Sequence, residues 1–141
     1  MTNKNLSDKS NDKLADELPL RILIAEDNVI NQKLLLNILA ILGYKAEAVA
    51  DGLDVLRSLN EKKIDLVLMD IQMPEMGGEE TTRLIRERFT DNAPKIIAIT
   101  AYAMAGDREK YLKAGMDGYI AKPFKMADLV AELRRVMSAK E

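Results

Sequence analysis

Five short apolar segments alternate with segments of helical periodicity between residues 20 and 138, and this alternation constrains the fold more than any other feature of the sequence. The apolar segments are rich in Ile, Leu, Val and Ala, and each is followed by a stretch that mixes apolar and charged residues. Such alternation is typical of repeated βα units, which form a parallel sheet with helices on its faces. The sequence therefore predicts an α/β fold with a doubly wound, five-stranded parallel sheet.

The pattern also gives approximate bounds for each element. We predict strands at 21–25, 45–50, 64–69, 95–99 and 118–121, and helices at about 29–42, 52–60, 78–89, 106–114 and 125–138. Asn28 is placed to cap the first of these helices, and Gly43 to end it. The helix at 106–114 is the most polar, with Tyr111 and Leu112 as its chief apolar anchors, so we expect it to be weakly held. Tyr111 and Met116 are interpreted as packing residues.

The chain divides into three parts by composition. Residues 1–19 are polar and mixed in charge, which predicts a flexible N-terminal leader in which 11–18 form at most a helical turn. Residues 20–138 carry the βα pattern and form one domain of a size that folds without disulfides or metals. Residues 139–141 form a short C-terminal tail.

Composition excludes several classes of function. The chain has no His and no Cys, which removes the usual general base, the thiolate metal sites and any disulfide framework. With 21 basic and 23 acidic residues, it lacks the positive surface that direct nucleic-acid binding requires. No apolar run approaches the length of a membrane span, and no segment resembles a signal peptide. We therefore expect a cytoplasmic protein without membrane insertion.

The candidate functional residues follow four of the five predicted strands. Glu26 and Asp27 follow the first, Asp70 the third, Thr100 the fourth and Lys122 the fifth. Right-handed crossovers place the carboxyl ends of parallel strands at one edge of the sheet, where α/β proteins bind their ligands. We therefore expect three carboxylates, one hydroxyl and one ammonium group to converge there.

These five side chains predict a chemistry. Three close carboxylates repel one another by about 1–4 kcal/mol per pair, so the cluster favours a bound cation. An all-oxygen site suits Mg²⁺. The set is consistent with phosphoryl transfer to Asp70 as nucleophile, with Mg²⁺ held by Glu26 and Asp27, charge neutralised by Lys122, and a phosphoryl oxygen hydrogen-bonded by Thr100. Taken singly, each residue has an ordinary structural explanation, and their joint occurrence at strand ends favours the phosphoacceptor site.

These residues resemble the receiver domain of two-component response regulators, over about residues 20–138. The sequence looks most like receivers attached to hybrid sensor histidine kinases. The resemblance implies a flavodoxin-like fold with strand order 2-1-3-4-5. The matching motifs are Glu26-Asp27-Asn28, Asn31-Gln32, Asp70 with Met73-Pro74, the segment from Ala98 to Met104, and Lys122-Pro123.

The same resemblance implies further roles. Tyr119 is the aromatic switch that turns inward when Thr100 moves toward the phosphoryl group, and the backbone carbonyl of Gln72 is a further metal ligand. The Lys122-Pro123 bond is expected to be cis. The donor is a histidine kinase or a histidine phosphotransfer protein. A downstream protein partner binds the face formed by the helix at 106–114, the strand at 118–121 and the last helix.

One departure from the family pattern stands beside the predicted site. The family usually has Asp or Asn before the second glycine where this chain has Gly77-Gly78. A glycine at the first position removes a side-chain helix cap, and we expect a looser loop there.

The sequence argues against two enzymatic functions and leaves one further alternative open. A nucleotide hydrolase would need a G-x-x-x-x-G-K-[ST] loop, which is absent, and a haloacid-dehalogenase-type phosphatase would need an Asp where Gln72 stands. We therefore predict that the chain is not an enzyme. Its only chemistry is its own phosphorylation from a donor and slow autodephosphorylation. A phosphorylation-independent protein interaction module stays open as the alternative.

Overall fold

A computed structural model of the chain describes residues 14–101 and 104–138. Its strands form one five-stranded parallel sheet in the order β2-β1-β3-β4-β5, which confirms the doubly wound fold and the strand order. The strands lie within one or two residues of their predicted positions, and β2 is at an edge. They are β1 (Ile22–Ala25), β2 (Glu47–Val49), β3 (Leu66–Asp70), β4 (Lys95–Thr100) and β5 (Gly118–Ala121).

Within residues 14–101 and 104–138, six helices accompany the sheet, of which five follow the strands as predicted. None of the helices within the two described stretches is both long enough and apolar enough to cross a membrane. Their bounds are α1 (Leu14–Glu17), α2 (Val29–Ile41), α3 (Gly52–Glu61), α4 (Gly78–Arg88), α5 (Asp107–Lys113) and α6 (Met126–Ser138).

Local sequence signals explain where several of these helices begin and end. The Asn28 side chain accepts a hydrogen bond from the Asn31 N–H at 2.9 Å, as predicted for a cap, and Asp51 caps α3 in the same way. Gly43 and Gly115 follow α2 and α5 with φ angles of +96° and +108°. This left-handed conformation favours glycine and stops the helix.

Alternate residues of the strands point to opposite layers of the core. On one face, Ile24, Leu68 and Ile97 pack with α1, α2 and α6. On the other, Val67 and Ile96 lie with residues of α3, α4 and α5. The central strands are buried on both sides, as their continuous apolar runs predict. This burial leaves the strand ends as the place where polar side chains can gather.

Two features differ from the expected packing. Within the predicted leader, Leu14 is only 2% exposed and belongs to the core, while the Ala15 N–H donates to the Leu42 carbonyl at 3.1 Å. The rest of the predicted leader, residues 1–13, and the predicted tail, 139–141, lie outside the described residues. In α5, Leu112 is exposed and does not anchor the helix. Tyr111 is the only buried residue among the seven of α5.

Candidate functional site

Three carboxylates meet at the carboxyl end of the sheet. Strands β1 and β3 are neighbours, with Ala25 opposite Met69, so the residues that follow Ala25 stand beside Asp70. One carboxylate oxygen from each of Glu26, Asp27 and Asp70 lies within 4.8 Å of the other two. Glu26 and Asp70 are buried, whereas Asp27 is exposed. The sequence prediction that these three acids converge is thus matched by the geometry.

Glu26 is held by backbone and side-chain contacts from the start of α2. Its carboxylate accepts a hydrogen bond from the Asn28 N–H at 3.1 Å, and its carbonyl accepts one from the Gln32 side-chain amide at 2.6 Å. The Glu26 N–H donates to the Val49 carbonyl of β2 at 3.0 Å. These bonds fix the turn between β1 and α2, so the carboxylate has little freedom to move away from its neighbours.

Asp70 sits at the tip of β3 with 8% of its surface exposed. Its carboxylate accepts a hydrogen bond from the Gln72 N–H at 3.2 Å. Burial, and then the nearby Glu26 carboxylate, raise the pKa of Asp70 to about 6, although the Gln72 N–H and Lys122 act in the opposite direction. The carboxyl group is therefore still mostly ionised at neutral pH and available as a nucleophile.

Lys122 brings positive charge to the cluster from the end of β5. Its Nζ lies 3.2 Å from a Glu26 carboxylate oxygen. Its backbone N–H donates to the Thr100 carbonyl at 2.8 Å, which ties the ends of β4 and β5 together. The Lys122-Pro123 peptide bond is cis, as expected.

Thr100 is buried at the last position of β4, directly beside the strand that carries Asp70. Burial raises the pKa of the Tyr111 phenol in α5, and the nearby Thr100 side chain acts in the opposite direction. Tyr111 was predicted to be a packing residue, and its burial in the core layer of α3, α4 and α5 confirms this.

Tyr119 lies half-buried on β5 and its ring stacks on that of Tyr111. The ring centroids are 5.5 Å apart and the planes are inclined by 29°. The predicted switch pair, Thr100 and Tyr119, therefore shares a neighbour in Tyr111. The switching role of the pair and the role of the Gln72 carbonyl as a metal ligand stay predictions.

The glycine pair 77–78 has a structural reason. Gly77 caps α4 without any side-chain hydrogen bond, as its missing side chain dictates. Gly78 donates its N–H to the Ile71 carbonyl at 3.0 Å, and a Cβ at this position would stand 2.8 Å from the Asp70 carbonyl oxygen. Only glycine lets α4 approach the end of β3 this closely.

The donor set fits a hard divalent cation. Glu26, Asp27 and Asp70 supply only oxygen atoms, and Mg²⁺ prefers a few carboxylates together with water and phosphate oxygens. Burial raises the pKa of Asp70, and the neighbouring Glu26 carboxylate raises it further by repulsion. A metal ion would remove this repulsion.

The comparisons with known proteins agree with this geometry. The family model for the response regulator receiver domain matches residues 22–134. This chain belongs to that family. The match includes all five strands and every residue of the candidate site, so the receiver family accounts for both the fold and the cluster at the sheet edge.

Two curated relatives show where such receivers occur. The receiver chain is 44% identical over 121 residues to hybrid signal transduction histidine kinase H of Dictyostelium discoideum, a match that covers 83% of this chain and 9% of that kinase. It is 34% identical to the polar-differentiation response regulator DivK of Brucella anthropi, covering 83% of this chain and 95% of DivK. The predicted similarity to receivers of hybrid kinases is confirmed, and the chain spans only a small part of those kinases.

Solved structures lead to the same family. The receiver domain of a sensor histidine kinase from Pseudomonas aeruginosa, with a magnesium ion coordinated in its active-site cleft, is 42% identical. It has a TM-score of 0.76, and the alignment covers 85% of this chain and 98% of that domain. The chemotaxis protein CheY4 of Vibrio cholerae is 25% identical with the same TM-score.

Proposed function

We propose that this receiver accepts a phosphoryl group on Asp70 in a two-component phosphorelay. The observation that carries the proposal is the juxtaposition of Glu26, Asp27 and Asp70, with carboxylate oxygens within 4.8 Å of one another, and of Lys122 at 3.2 Å from Glu26. The cluster occurs at the ligand-binding edge of a sheet whose family is the response regulator receiver.

The transfer step follows from the state of Asp70. A carboxylate oxygen of Asp70 attacks the phosphorus of a phosphohistidine, a P–O bond forms, and the P–N bond to the imidazole breaks. The departing imidazole nitrogen then takes up a proton. A pKa of about 6 keeps the nucleophile mostly ionised at neutral pH. Later attack of water on the phosphorus returns the carboxylate, which gives slow autodephosphorylation and no other catalysis.

Charge compensation is shared between a metal ion and the protein. Glu26, Asp27, Asp70 and the Gln72 carbonyl would hold Mg²⁺, which supplies positive charge to the transferring phosphoryl group. Lys122 supplies the second positive charge, since its ammonium group is held beside the cluster by Glu26. The Thr100 hydroxyl hydrogen-bonds a phosphoryl oxygen once the group is on Asp70.

The phosphoryl group is supplied by another molecule or segment. This sequence contains no His, so the phosphohistidine belongs to a histidine kinase or a phosphotransfer protein. An apolar groove of about 520 Å³ opens next to Lys122 and is lined by Leu34, Ile38 and Phe124. Its exposed apolar surface continues along α2, which gives the donor a place to bind within reach of Asp70.

The phosphorylated receiver then signals through the face formed by α5, β5 and α6. Phosphorylation adds about two negative charges at Asp70 and biases the switch residues Thr100 and Tyr119. A groove of about 450 Å³ between α5 and α6 is lined by Tyr119, Arg108 and Glu132, so a change at Tyr119 alters a surface that a partner can contact. We place this exchange in the cytoplasm.

Phosphorylation from a small donor tests the proposal. The full chain is incubated with Mg²⁺ and acetyl phosphate, and its intact mass is measured. We expect a mass increase of one phosphoryl group that requires Mg²⁺ and is lost in Asp70→Asn. Glu75→Gln is the matched control, because Glu75 is an exposed acid in the same loop and should keep the mass increase.

The same experiment separates the proposal from the alternative function. An interaction module that works without phosphorylation would show no mass increase under any condition. An increase that persists in Asp70→Asn would place the acceptor elsewhere. Either result contradicts the proposed function.

A further inference from the structure

The Gln32 side chain, near the start of α2, joins three elements beside the candidate site. Its amide nitrogen donates to the Glu26 carbonyl at 2.6 Å and to the Val49 carbonyl at 3.3 Å. Glu26 directly follows β1, and Val49 is the last residue of β2, the strand that pairs with β1. One partly buried side chain of α2 therefore holds the carboxyl ends of two neighbouring strands together.

The Glu26 carbonyl stands outside the hydrogen-bond series of the helix. Asn28 caps α2, and its carbonyl accepts the Gln32 N–H at 2.9 Å, which is the first bond of that series. The Glu26 carbonyl lies two residues before this cap, so the helical series starts after it. The Gln32 amide supplies a donor to this carbonyl from the side chain.

The carbonyl that Gln32 holds belongs to the peptide unit between Glu26 and Asp27. This unit is planar, so fixing its oxygen restricts ψ of Glu26 and φ of Asp27 together. The Glu26 N–H is fixed as well, because it donates at 3.0 Å to the Val49 carbonyl, the same acceptor that Gln32 reaches. Gln32 therefore acts on the backbone that carries two of the three clustered acids.

A fixed turn matters because the acids it carries repel one another and Asp70. Asp27 is exposed, so in a loose turn its carboxylate would move away into water. Mg²⁺ requires nearly ideal octahedral geometry with ligands at about 2.0–2.1 Å, whereas Ca²⁺ accepts about six to eight oxygens at about 2.3–2.6 Å in flexible arrangements. The rigidity of the turn therefore bears on which of these two cations the site prefers.

We propose that Gln32 is a positioning residue that fixes the turn of Glu26 and Asp27 and thereby makes the site selective for Mg²⁺ over Ca²⁺. The inference rests on the metal-assisted function proposed for Asp70. The Gln32 amide nitrogen is engaged with two carbonyls, so the residue acts on the metal through its ligands. Loss of a group that orients metal ligands typically lowers metal affinity by roughly 10- to 100-fold.

Gln32→Met tests the proposal, since it keeps a side chain of similar length and removes both hydrogen bonds. Isothermal titration calorimetry of the full chain measures the Kd of Mg²⁺ and, separately, that of Ca²⁺. We expect the Mg²⁺ Kd to rise roughly tenfold or more. The Ca²⁺ Kd should rise by a smaller factor, because the Ca²⁺ shell tolerates displaced ligands.

Two variants control for other effects of the substitution. Asn37→Met also replaces an amide by Met on α2, at an exposed position away from the turn, and should leave both Kd values unchanged. Tyr44→Phe removes a hydrogen bond to a backbone carbonyl outside the site, that of Leu18 at 2.6 Å. It should lower stability without changing the ratio of the two Kd values.

A measurement without metal tests the position of the turn itself. In EDTA, hydrogen exchange followed by NMR should quicken at the Glu26 N–H in Gln32→Met, because the Val49 carbonyl is no longer held from both sides. The N–H of Leu68, in the central strand β3, should quicken less. Equal changes at the two amides would mean that Gln32 contributes to global stability alone and would contradict a positioning role.

The outcomes distinguish this inference from the function on which it rests. If Gln32→Met raises both Kd values by the same factor, or changes neither, the selectivity role is wrong and the phosphoacceptor site stands. If the wild type binds Mg²⁺ but gains no phosphoryl mass from acetyl phosphate, the proposed function fails, and the ratio of the Kd values still decides the role of Gln32. If the wild type does not bind Mg²⁺, both fail.

Discussion

Among single residues, Asp70 shows most clearly how the site combines chemistry with an energetic cost. Its carboxylate is buried beside Glu26 and within reach of Asp27, while one ammonium group, Lys122, is paired with Glu26. The arrangement is unfavourable for an empty site, because like charges at a few ångströms repel strongly where water is partly excluded. A cation and a phosphoryl group together remove this repulsion. The free energy of unfolding therefore depends on the charges at the site, and stability measurements can detect changes there.

Neutralising one acid should stabilise the metal-free protein. In EDTA, we expect Asp70→Asn and Asp27→Asn to raise the Tm by about 3–8 °C, because one repulsive pair or more is removed. Saturating Mg²⁺ should stabilise the wild type, by about 2.7 kcal/mol at a hundred times its Kd, and should stabilise both variants less. Calorimetry with and without Mg²⁺ measures both effects, and unchanged or lowered melting points in EDTA would argue against a shared charged pocket.

The pKa of Asp70 predicts a pH dependence with a definite sign. The pKa is about 6 in the folded protein and 3.8 in the reference state, so between these values the folded state binds more protons than the unfolded state. The contribution of Asp70 to the free energy of unfolding therefore falls as the pH rises from about 4 to about 6.

Comparison with Asp70→Asn isolates that contribution. In EDTA, the difference in unfolding free energy between the variant and the wild type should be small near pH 4 and should grow to about 2–3 kcal/mol above pH 6. Urea unfolding at a series of pH values measures it. A difference that stays constant across this range would mean that the Asp70 pKa is not raised.

At the scale of elements, helix α2 offers the most exposed apolar surface next to the site. Leu34 is 56% exposed and lines the groove beside Lys122, and Val29 and Ile30 are exposed on the same helix. A small phosphodonor has no need of this surface, whereas a protein donor must cover it to bring its phosphohistidine to Asp70. The two kinds of donor should therefore respond differently to changes in α2.

Leu34→Asp should slow phosphotransfer from a protein donor and leave phosphorylation by acetyl phosphate near the wild-type rate. We expect a loss of tenfold or more in kcat/KM with a histidine phosphotransfer protein that is active on the wild type, because a charge is placed in an apolar contact. Leu53→Asp is the matched control, since Leu53 is 57% exposed on α3. Equal losses with both donors, or with both variants, would contradict a donor surface on α2.

The elements also show what the sequence could predict. Strand positions and the caps at Asn28 and Asp51 were predictable or readily explained because they depend on residues a few positions apart. The orientation of α5 was not, because which side of a seven-residue helix faces the sheet depends on how the preceding loop enters it. Leu112 was therefore wrongly expected to be an anchor of α5.

At the scale of the whole molecule, the sheet separates two helical layers, and its carboxyl edge gathers residues from four strands. This convergence was predictable, because chain topology alone dictates it. The packing of the segment before β1 was not. Its few apolar residues gave no periodic signal, yet Leu14 packs in the core layer of α2 and α6. A carboxylate oxygen of Glu17 also lies 3.1 Å from a guanidinium nitrogen of Arg134 in α6.

This packing predicts that the segment contributes to the stability of the receiver. Leu14→Ala should lower the free energy of unfolding by about 2–4 kcal/mol, since it removes a side chain that is almost fully buried. Leu53→Ala, at an exposed site on α3, should change it by less than about 0.5 kcal/mol. Urea unfolding of both variants measures the difference, and similar small effects would mean that α1 is not part of the folded core.

The central claim is that Asp70 carries the phosphoryl group, and chemical mapping of the acceptor tests it most directly. The chain is phosphorylated with acetyl phosphate and Mg²⁺, reduced with borohydride, and digested for peptide mass spectrometry. Borohydride converts an aspartyl phosphate to homoserine and leaves free carboxylates unchanged. We predict homoserine at position 70 and at no other acid. Homoserine at Asp27 or another aspartate, the five-carbon alcohol 2-amino-5-hydroxypentanoic acid at Glu26, or no reduced residue at all in protein that has gained a phosphoryl mass, would contradict the claim.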